Sequence, residues 1–247
     1  MLNREPLVGV LGGLGPMATS WFSRRVIELT DADTDQAHAN LLILNHAAIP
    51  DRTAYLLGNS LDSPAPAMAA DAALLERAGC DAIVIPCNTS HAFYAEIQAA
   101  VSVPVVHLIE LVAAEAAAHG MKKLCVLCTE GTRAAGLYGA ACRRYGIRCA
   151  YPDSAVQALV TSVIYDRVKA GKPAPEQVLR SIIELELDAG YDGVVLGCTE
   201  LSVAFQSMAL AAQYPAVLDA LELLARETVL RAGKRLRGPM CCTDDHS

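Results

Sequence analysis

The amino-acid sequence predicts an α/β protein built from parallel β-sheets with helices packed on both faces. Short apolar, β-branched runs bounded by Gly and Pro alternate with longer Ala- and Leu-rich segments of helical character. Runs that are apolar throughout are typical of strands buried on both faces of a parallel sheet. An internal repeat is the second observation, and it predicts that the arrangement occurs twice.

The predicted strands and helices can be assigned in chain order. The strands are LVGVLGG, NLLILNH, DAIVIPC, VPVVHL, KLCVLCT, GIRCAYP and GVVLGCT. Helical composition is clearest at 65–78 and 175–189, and a further helix is expected at about 212–231. Strands that alternate with helices in this way form parallel sheets through crossover connections.

The repeat divides the chain into two similar halves. AGCDAIVIPCNT (78–89) aligns with AGYDGVVLGCTE (189–200), and LVGVLGGLG aligns with LCVLCTEGT. We therefore expect two pseudo-symmetric parallel-sheet α/β domains, with the active site in the cleft between them. The expected domains are 1–108 plus 212–235, carrying Cys87, and 109–211, carrying Cys198. Residues 236–247 are expected to form a flexible tail.

Composition and charge exclude several classes of function. A net charge of −7 argues against nucleic acid as the main partner. The N-terminus lacks the pattern of a signal peptide, and no apolar run is long enough to span a bilayer. Nine cysteines, an odd number, are scattered through a chain too large to need disulfides. We expect a reduced, cytoplasmic protein without a membrane partner.

Two cysteines stand in matched positions. Cys87 and Cys198 each follow a predicted strand and precede a predicted helix, where helix N-terminal N–H groups lower a thiol pKa and bind carboxylates. A buried, inert cysteine is the ordinary interpretation of one such residue, but a repeated pair favours function. Two thiols facing each other across a cleft suit inversion of a carbon centre, because one accepts a proton while the other donates one.

Several motifs together resemble the aspartate/glutamate racemase family, and its aspartate racemase branch in particular. They are GVLGGLGPMAT, NHAAIPDRT, PCNTSH, CTEGTRAAGLY, IYDRVKAGK and GCTEL. The resemblance spans nearly the whole chain, 9–201. It implies a homodimer that works without pyridoxal phosphate, another cofactor or a metal. It also places the catalytic pair at Cys87 and Cys198, with Cys87 deprotonating the D-enantiomer and Cys198 the L-enantiomer.

An acidic amino-acid substrate would bring two carboxylates, and the chain offers cations for them. Arg52 presents a bidentate fork, and Lys169 lies one helical turn after Tyr165. The resemblance places all three at the carboxylate-recognition positions of the family, although a surface ion pair is equally open for Lys169. The remaining substrate-binding candidates are Met17, Thr53, Asn88, Thr89, Thr129, Thr132, Thr199 and Glu200.

Structural alternatives stay open for several of these residues. The threonines and Asn88 also suit helix capping and turns. Glu200 could hold an ammonium group, tune Cys198, or be an acid favoured by the helix dipole. His91, four residues after Cys87, is interpreted as a supporting histidine.

Three further signals are weaker. GGLGP (12–16) indicates a glycine turn that cradles the substrate, but it lacks the dinucleotide fingerprint. Cys125 and Cys128 have CxxC spacing on a predicted strand, without the second pair that zinc needs. Cys241 and Cys242 have no assigned role.

The sequence therefore predicts a cofactor-independent isomerase that interconverts L- and D-aspartate, with glutamate also open, by two-base proton transfer. Three alternatives remain. The first two are a hydantoin racemase and a maleate isomerase with the same cysteine pair. The third is a non-catalytic protein whose thiols bind a ligand or form a reversible disulfide.

Overall fold

The fold consists of two parallel β-sheets wrapped by helices, seen in a computed structural model that describes residues 4–238. The predicted α/β class is confirmed. The strands are β1 Leu7–Gly12, β2 Asn40–Asn45, β3 Ala82–Val84, β4 Lys123–Leu127, β5 Arg148–Ala150, β6 Gly193–Leu196 and β7 Val217–Asp219. Their order is β2-β1-β3 in the first sheet and β5-β4-β6-β7 in the second.

Helices pack on both sheets, although the edge strand β2, predicted to be buried on both faces, keeps Leu42 and Ile43 exposed. They are α1 Pro16–Leu29, α2 Arg52–Leu56, α3 Ala65–Arg77, α4 Tyr94–Ala99, α5 Leu108–Ala118, α6 Glu130–Ala134, α7 Leu137–Arg144, α8 Ser154–Ser162, α9 Glu176–Asp188, α10 Thr199–Ser207 and α11 Ala220–Arg231. Short 3₁₀ turns occupy Asp35–Ala37 and Thr89–Phe93, and a π-helix, Val163–Val168, continues α8.

The two sheets have matching topology. In each, the first strand is central, with β1 pairing with β2 and β3 and β4 pairing with β5 and β6. Val105 makes a single parallel bridge to Ile83, which corresponds to the pairing of β7 with β6. The predicted strand VPVVHL is thus reduced to one bridge.

One predicted helix near the end of the chain differs from the structure, and a strand that was not predicted precedes it. The helix expected from about 212 begins at Ala220, because 217–219 form β7, which extends the second sheet. Helix α11 then packs on α1 of the first half, where Arg25 and Glu222 form an ion pair with Nε and Oε2 2.5 Å apart. The domain boundary at 212 stays a prediction.

The end of the described chain is attached to the first half. Leu236 forms an antiparallel bridge with Thr30, and the Arg237 N–H donates to the Leu29 carbonyl at 2.8 Å. The rest of the predicted tail, including Cys241 and Cys242, lies outside the described residues. Between 4 and 238, no helix combines the length and apolar character that crossing a membrane requires.

Candidate active site

A cavity of about 540 Å³ lies where loops of the first half meet the start of α10 and the segment after the π-helix. The loop after β1 forms one wall, where Gly13 has φ +90° and its Cα lies against the His46 backbone, which leaves no room for a side chain. Met17, Arg52, Lys169 and Glu200, all predicted site residues, line this cavity. The cavity therefore lies between the two halves, where the repeat leads us to expect the active site.

Cys198 lies at the N-cap of α10 and is hydrogen-bonded to a carboxylate. Its Sγ donates to Glu200 Oε2 at 3.0 Å, and Thr199 Oγ1 donates to the same oxygen at 3.3 Å. Burial, and next the charge of Glu200, raise the pKa of the Cys198 thiol well above its usual value. Cys198 is therefore a protonated thiol, and the lowered pKa that the sequence predicts for a cysteine before a helix is wrong here, because burial and Glu200 outweigh the helix N-terminus.

Cys87 lies in the loop that follows β3, just before a 3₁₀ turn. It is 6% exposed, against 5% for Cys198, so both thiols are nearly buried. Both are also free of disulfides. Neither cysteine is among the residues that line the cavity.

His91 holds the loop that carries Cys87. The Leu108 N–H donates to His91 Nε2 at 3.0 Å, so the ring proton sits on Nδ1 and is donated to the Cys87 carbonyl at 2.9 Å. Burial, with the neighbouring His107, lowers the pKa of His91 to about 4, so the ring is neutral. The prediction of a supporting histidine agrees with this geometry.

Three predicted threonines form a ring of hydroxyls between the halves. Thr89 Oγ1 lies 3.0 Å from Thr129 Oγ1 and 2.9 Å from Thr132 Oγ1, and the last two are 3.2 Å apart. Thr129 also caps α6. The hydroxyls are thus partnered with one another rather than lining the cavity, and the loop after Cys87 is attached to the second half.

Two positively charged side chains, Arg52 and Lys169, line the cavity. Arg52 is 9% exposed, and its guanidinium donates to the carbonyls of Ile49, Pro50 and Leu14. Its buried Nε has no partner among residues 4–238. Because these partners are neutral, the charge of Arg52 remains available to an anion.

The second cation, Lys169, lies with its Nζ 4.6 Å from the centre of the Tyr165 ring. Burial, the largest single cause, favours the neutral amine, but the acidic surroundings, Glu200 first among them, raise the pKa of Lys169 overall. It is therefore charged at neutral pH. The segment is a π-helix rather than the α-helix that the predicted same-face spacing assumes, yet the two side chains do meet.

Other residues complete the surroundings. Thr53 lies against Gly131, where an added Cβ would be 2.8 Å from the Thr53 Cα. Asp51, which lines the cavity and caps α2 by accepting from the Ala54 N–H at 2.7 Å, was missed by the sequence analysis. Asp before a helix start is a capping signal that could have placed it.

Tyr138, which contacts Asn88, is the second residue near the site that the sequence did not indicate. The Tyr138 hydroxyl donates to Asn88 Oδ1 at 2.6 Å, while Asn88 Nδ2 is buried without a partner among the described residues. Within 4–238, no group of three or more His, Cys, Asp or Glu residues could hold a metal ion, and this includes the surroundings of Cys125 and Cys128.

Comparisons with known proteins agree with this architecture. Residues 11–228 match the Asp/Glu/Hydantoin racemase family. An aspartate racemase from Picrophilus torridus is similar in structure, with a TM-score of 0.79 and 31% identity over 94% of this chain and 96% of that one. An aspartate racemase homologue from Pyrococcus horikoshii, 24% identical, shares the fold with a TM-score of 0.73 over 94% and 100% of the chains.

A curated relative extends the comparison in sequence. The broad specificity amino-acid racemase RacX of Bacillus subtilis is 29% identical over 229 residues, which cover 90% of this chain and 96% of RacX. The family match spans far more than half of the chain, and the similarity in structure covers both sheets. The chain therefore belongs to the Asp/Glu/Hydantoin racemase family of isomerases.

Proposed function

We propose that this protein is an amino-acid racemase acting on aspartate, with Cys87 and Cys198 as the two proton-transfer groups and no cofactor. The observation that supports it most is the matched placement of the thiols, one after β3 and one after β6, in two sheets of the same topology. Loops at the carboxyl ends of strands are where ligands bind in parallel α/β sheets.

In the proposed reaction, one cysteine thiolate removes the α-proton and the opposite thiol protonates the other face. The structure holds Cys198 as a thiol, which is the proton donor when Cys87 is the base. The family resemblance assigns this direction to the D-enantiomer. For the L-enantiomer the roles exchange, and the Glu200 carboxylate lies where it can receive the Cys198 proton first.

The charges of the cavity support an acidic substrate. Arg52 and Lys169 provide positive charge for two carboxylates, and Asp51 and Glu200 provide negative charge for an ammonium group. A hydantoin has no carboxylate pair, so this set disfavours it. We propose that Thr53, Tyr165 and Thr199 shape the site around these four residues.

A broad specificity racemase is the second candidate, and the size of the cavity favours it. A volume of about 540 Å³ exceeds what aspartate needs, and Met17, Ile49 and Val168 give the cavity apolar surface. One methylene more or less in such a pocket is worth only about 1–3 kcal/mol of discrimination. Longer or neutral side chains would then also be racemised.

Proton NMR in deuterium oxide with reductant and no added cofactor tests the proposal. Wild type is expected to exchange the α-proton of L-aspartate while D-aspartate accumulates. Cys87→Ser and Cys198→Ser should each stop racemisation, whereas Cys80→Ser, which alters a buried cysteine in the core of the first half, should not. L-glutamate and L-alanine, run in parallel, distinguish aspartate specificity from broad specificity.

The contrary outcomes are equally clear. If none of these amino acids exchanges its α-proton, the amino-acid proposal is wrong, and maleate and substituted hydantoins are tested next. If racemisation persists in either cysteine variant, proton transfer between the two thiols is wrong.

A further inference from the structure

The hydroxyl of Tyr138 connects the surroundings of the two cysteines. Tyr138, in α7 of the second half, is fully buried, and it donates to Oδ1 of Asn88, the residue after Cys87, at 2.6 Å. Its ring also packs on the residue before Cys198, since a Cβ added to Gly197 would be 3.1 Å from Tyr138 Cε2. One side chain thus contacts the neighbour of each thiol.

This contact sets the orientation of the Asn88 amide. Burial, the largest cause, raises the pKa of Tyr138 well above its usual value, so the phenol keeps its proton. A buried phenol proton needs an acceptor, and Asn88 Oδ1 is the one that the structure provides. The carbonyl end of the amide therefore faces Tyr138, and the NH₂ end faces away from it.

The NH₂ end of this amide is a donor without an acceptor. Asn88 is 2% exposed, and its Nδ2 has no hydrogen-bond partner among residues 4–238. Leaving a buried donor unpaired is unfavourable, so such groups call for an explanation. An oxygen of a bound anion beside Cys87 would satisfy it.

We propose that Tyr138 is a positioning residue that aims the Asn88 NH₂ group at the α-carboxylate of the amino acid held beside Cys87. This rests on the racemase function proposed above. As the α-proton leaves, negative charge moves onto that carboxylate, and a fixed donor stabilises the charge more in the transition state than in the ground state. Without the Tyr138 hydroxyl, the amide is free to rotate.

Tyr138→Phe tests the proposal, because it removes one oxygen and keeps the buried ring. The matched control is Tyr151→Phe in the same half, since the Tyr151 hydroxyl is also buried but has no partner among the described residues. We expect kcat for Tyr138→Phe to fall about ten- to a hundredfold with KM changed less than about threefold, since removing one transition-state donor outright costs about 100- to 1,000-fold. Tyr151→Phe should retain wild-type kcat.

A double-variant cycle shows whether Tyr138 acts through Asn88. Asn88→Ala removes the donor, so Tyr138→Phe should cause no further loss of kcat in that background. Losses that multiply would overturn the proposal. So would a Tyr138→Phe enzyme with wild-type kcat and only a lower unfolding midpoint, since that is the result of a purely structural bond.

The wild-type assay separates the two proposals. If wild type racemises aspartate while Tyr138→Phe matches it in kcat, the positioning role is wrong and the racemase function stands. If wild type racemises no amino acid, the racemase function is wrong and the positioning role falls with it.

Discussion

At the scale of single residues, the two cysteines occupy matched positions but have different surroundings. Cys198 donates to the Glu200 carboxylate, whereas the loop of Cys87 is held through its carbonyl by neutral His91. Glu200 is itself confined, because a Cβ on Gly15 would lie 2.8 Å from its Oε1. The repeat therefore supplies two thiols in equivalent positions, and their hydrogen-bond partners make the two surroundings chemically different.

Glu200→Gln is expected to lower the pKa of the Cys198 thiol. Burial would still raise that pKa, but the negative charge of Glu200, the second cause, would be gone, while Lys169 still favours the thiolate. The rate of Cys198 alkylation by iodoacetamide, followed against pH by peptide mass spectrometry, should rise at a lower pH than in wild type. Glu130→Gln, which alters an acid in α6, is the control and should leave the profile in place. An unchanged midpoint in Glu200→Gln would contradict the electrostatic role.

Because His91 is buried in its neutral form, we expect the protein to be less stable in mild acid. The folded protein holds its pKa at about 4 against 6.5 for the free side chain, so below pH 6.5 the unfolded chain binds the additional proton. The free energy of unfolding should fall as pH falls from 6.5 towards 4, and the His91 share between pH 7.5 and pH 5 is about 2 kcal/mol.

Urea denaturation of wild type and His91→Asn at both pH values measures that share. His107, whose pKa burial also lowers, is present in both proteins, so the difference between their pH dependences isolates His91. Equal pH dependence in the two proteins would show that His91 is not held neutral by the fold.

At the scale of elements, α2 of the first half and α6 of the second approach each other closely at one glycine. A Cβ on Gly131 would be 2.8 Å from both Cα and Oγ1 of Thr53, so Gly131→Ala must push these helices apart. We expect a loss of about 1–3 kcal/mol in the free energy of unfolding, the usual cost of overpacking. Aspartate turnover should also fall, since Arg52 begins α2 and lines the cavity.

Gly139→Ala in α7 is the matched control for this prediction. The nearest atom to its added Cβ is the flexible end of Arg143, 3.6 Å away, so alanine fits and its helix propensity should stabilise the protein by about 0.5–1 kcal/mol. Urea denaturation compares the two variants. Equal effects on stability would show that the contact between α2 and α6 is loose.

The sequence predicted the longer elements well and the shortest ones poorly. Six predicted strands and the helices α3 and α9 lie where apolar runs and composition place them. Strand β7 was missed because three residues carry no periodicity, and its counterpart at Val105 is a single bridge. The π-helix before Lys169 was missed because the pattern of apolar residues does not distinguish it from an α-helix.

At the scale of the whole molecule, contacts between the halves explain why only part of the site could be predicted. The motifs placed Met17, Arg52, Lys169 and Glu200, which line one cavity. The threonine ring and the Tyr138 bond join residues distant in sequence, and neither has a local pattern. The homodimer and the cytoplasmic setting stay predictions.

The positive charge in the cavity leads us to expect that substrate binding stabilises the folded protein. Arg52 and Lys169 carry positive charge that the two carboxylates of an acidic amino acid would neutralise, so a ligand that binds only the folded chain should stabilise it. At 100 times its dissociation constant, aspartate should add about 2.7 kcal/mol, which for a chain of this size is about 5–11 °C in Tm.

Lys169→Met separates this coupling from a general effect of solute on stability. The Lys169 ammonium stacks on Tyr165 at the cavity rather than supporting the core, so the variant should melt near wild type without ligand. With aspartate its Tm should rise much less, while Lys172→Met, which alters a nearby exposed lysine, should behave as wild type. Differential scanning calorimetry with L-aspartate, and with succinate as a dianion without an ammonium group, measures both effects. A rise of equal size in Lys169→Met would mean that aspartate binds elsewhere. A full rise with succinate would mean that Asp51 and Glu200 do not recognise an ammonium group.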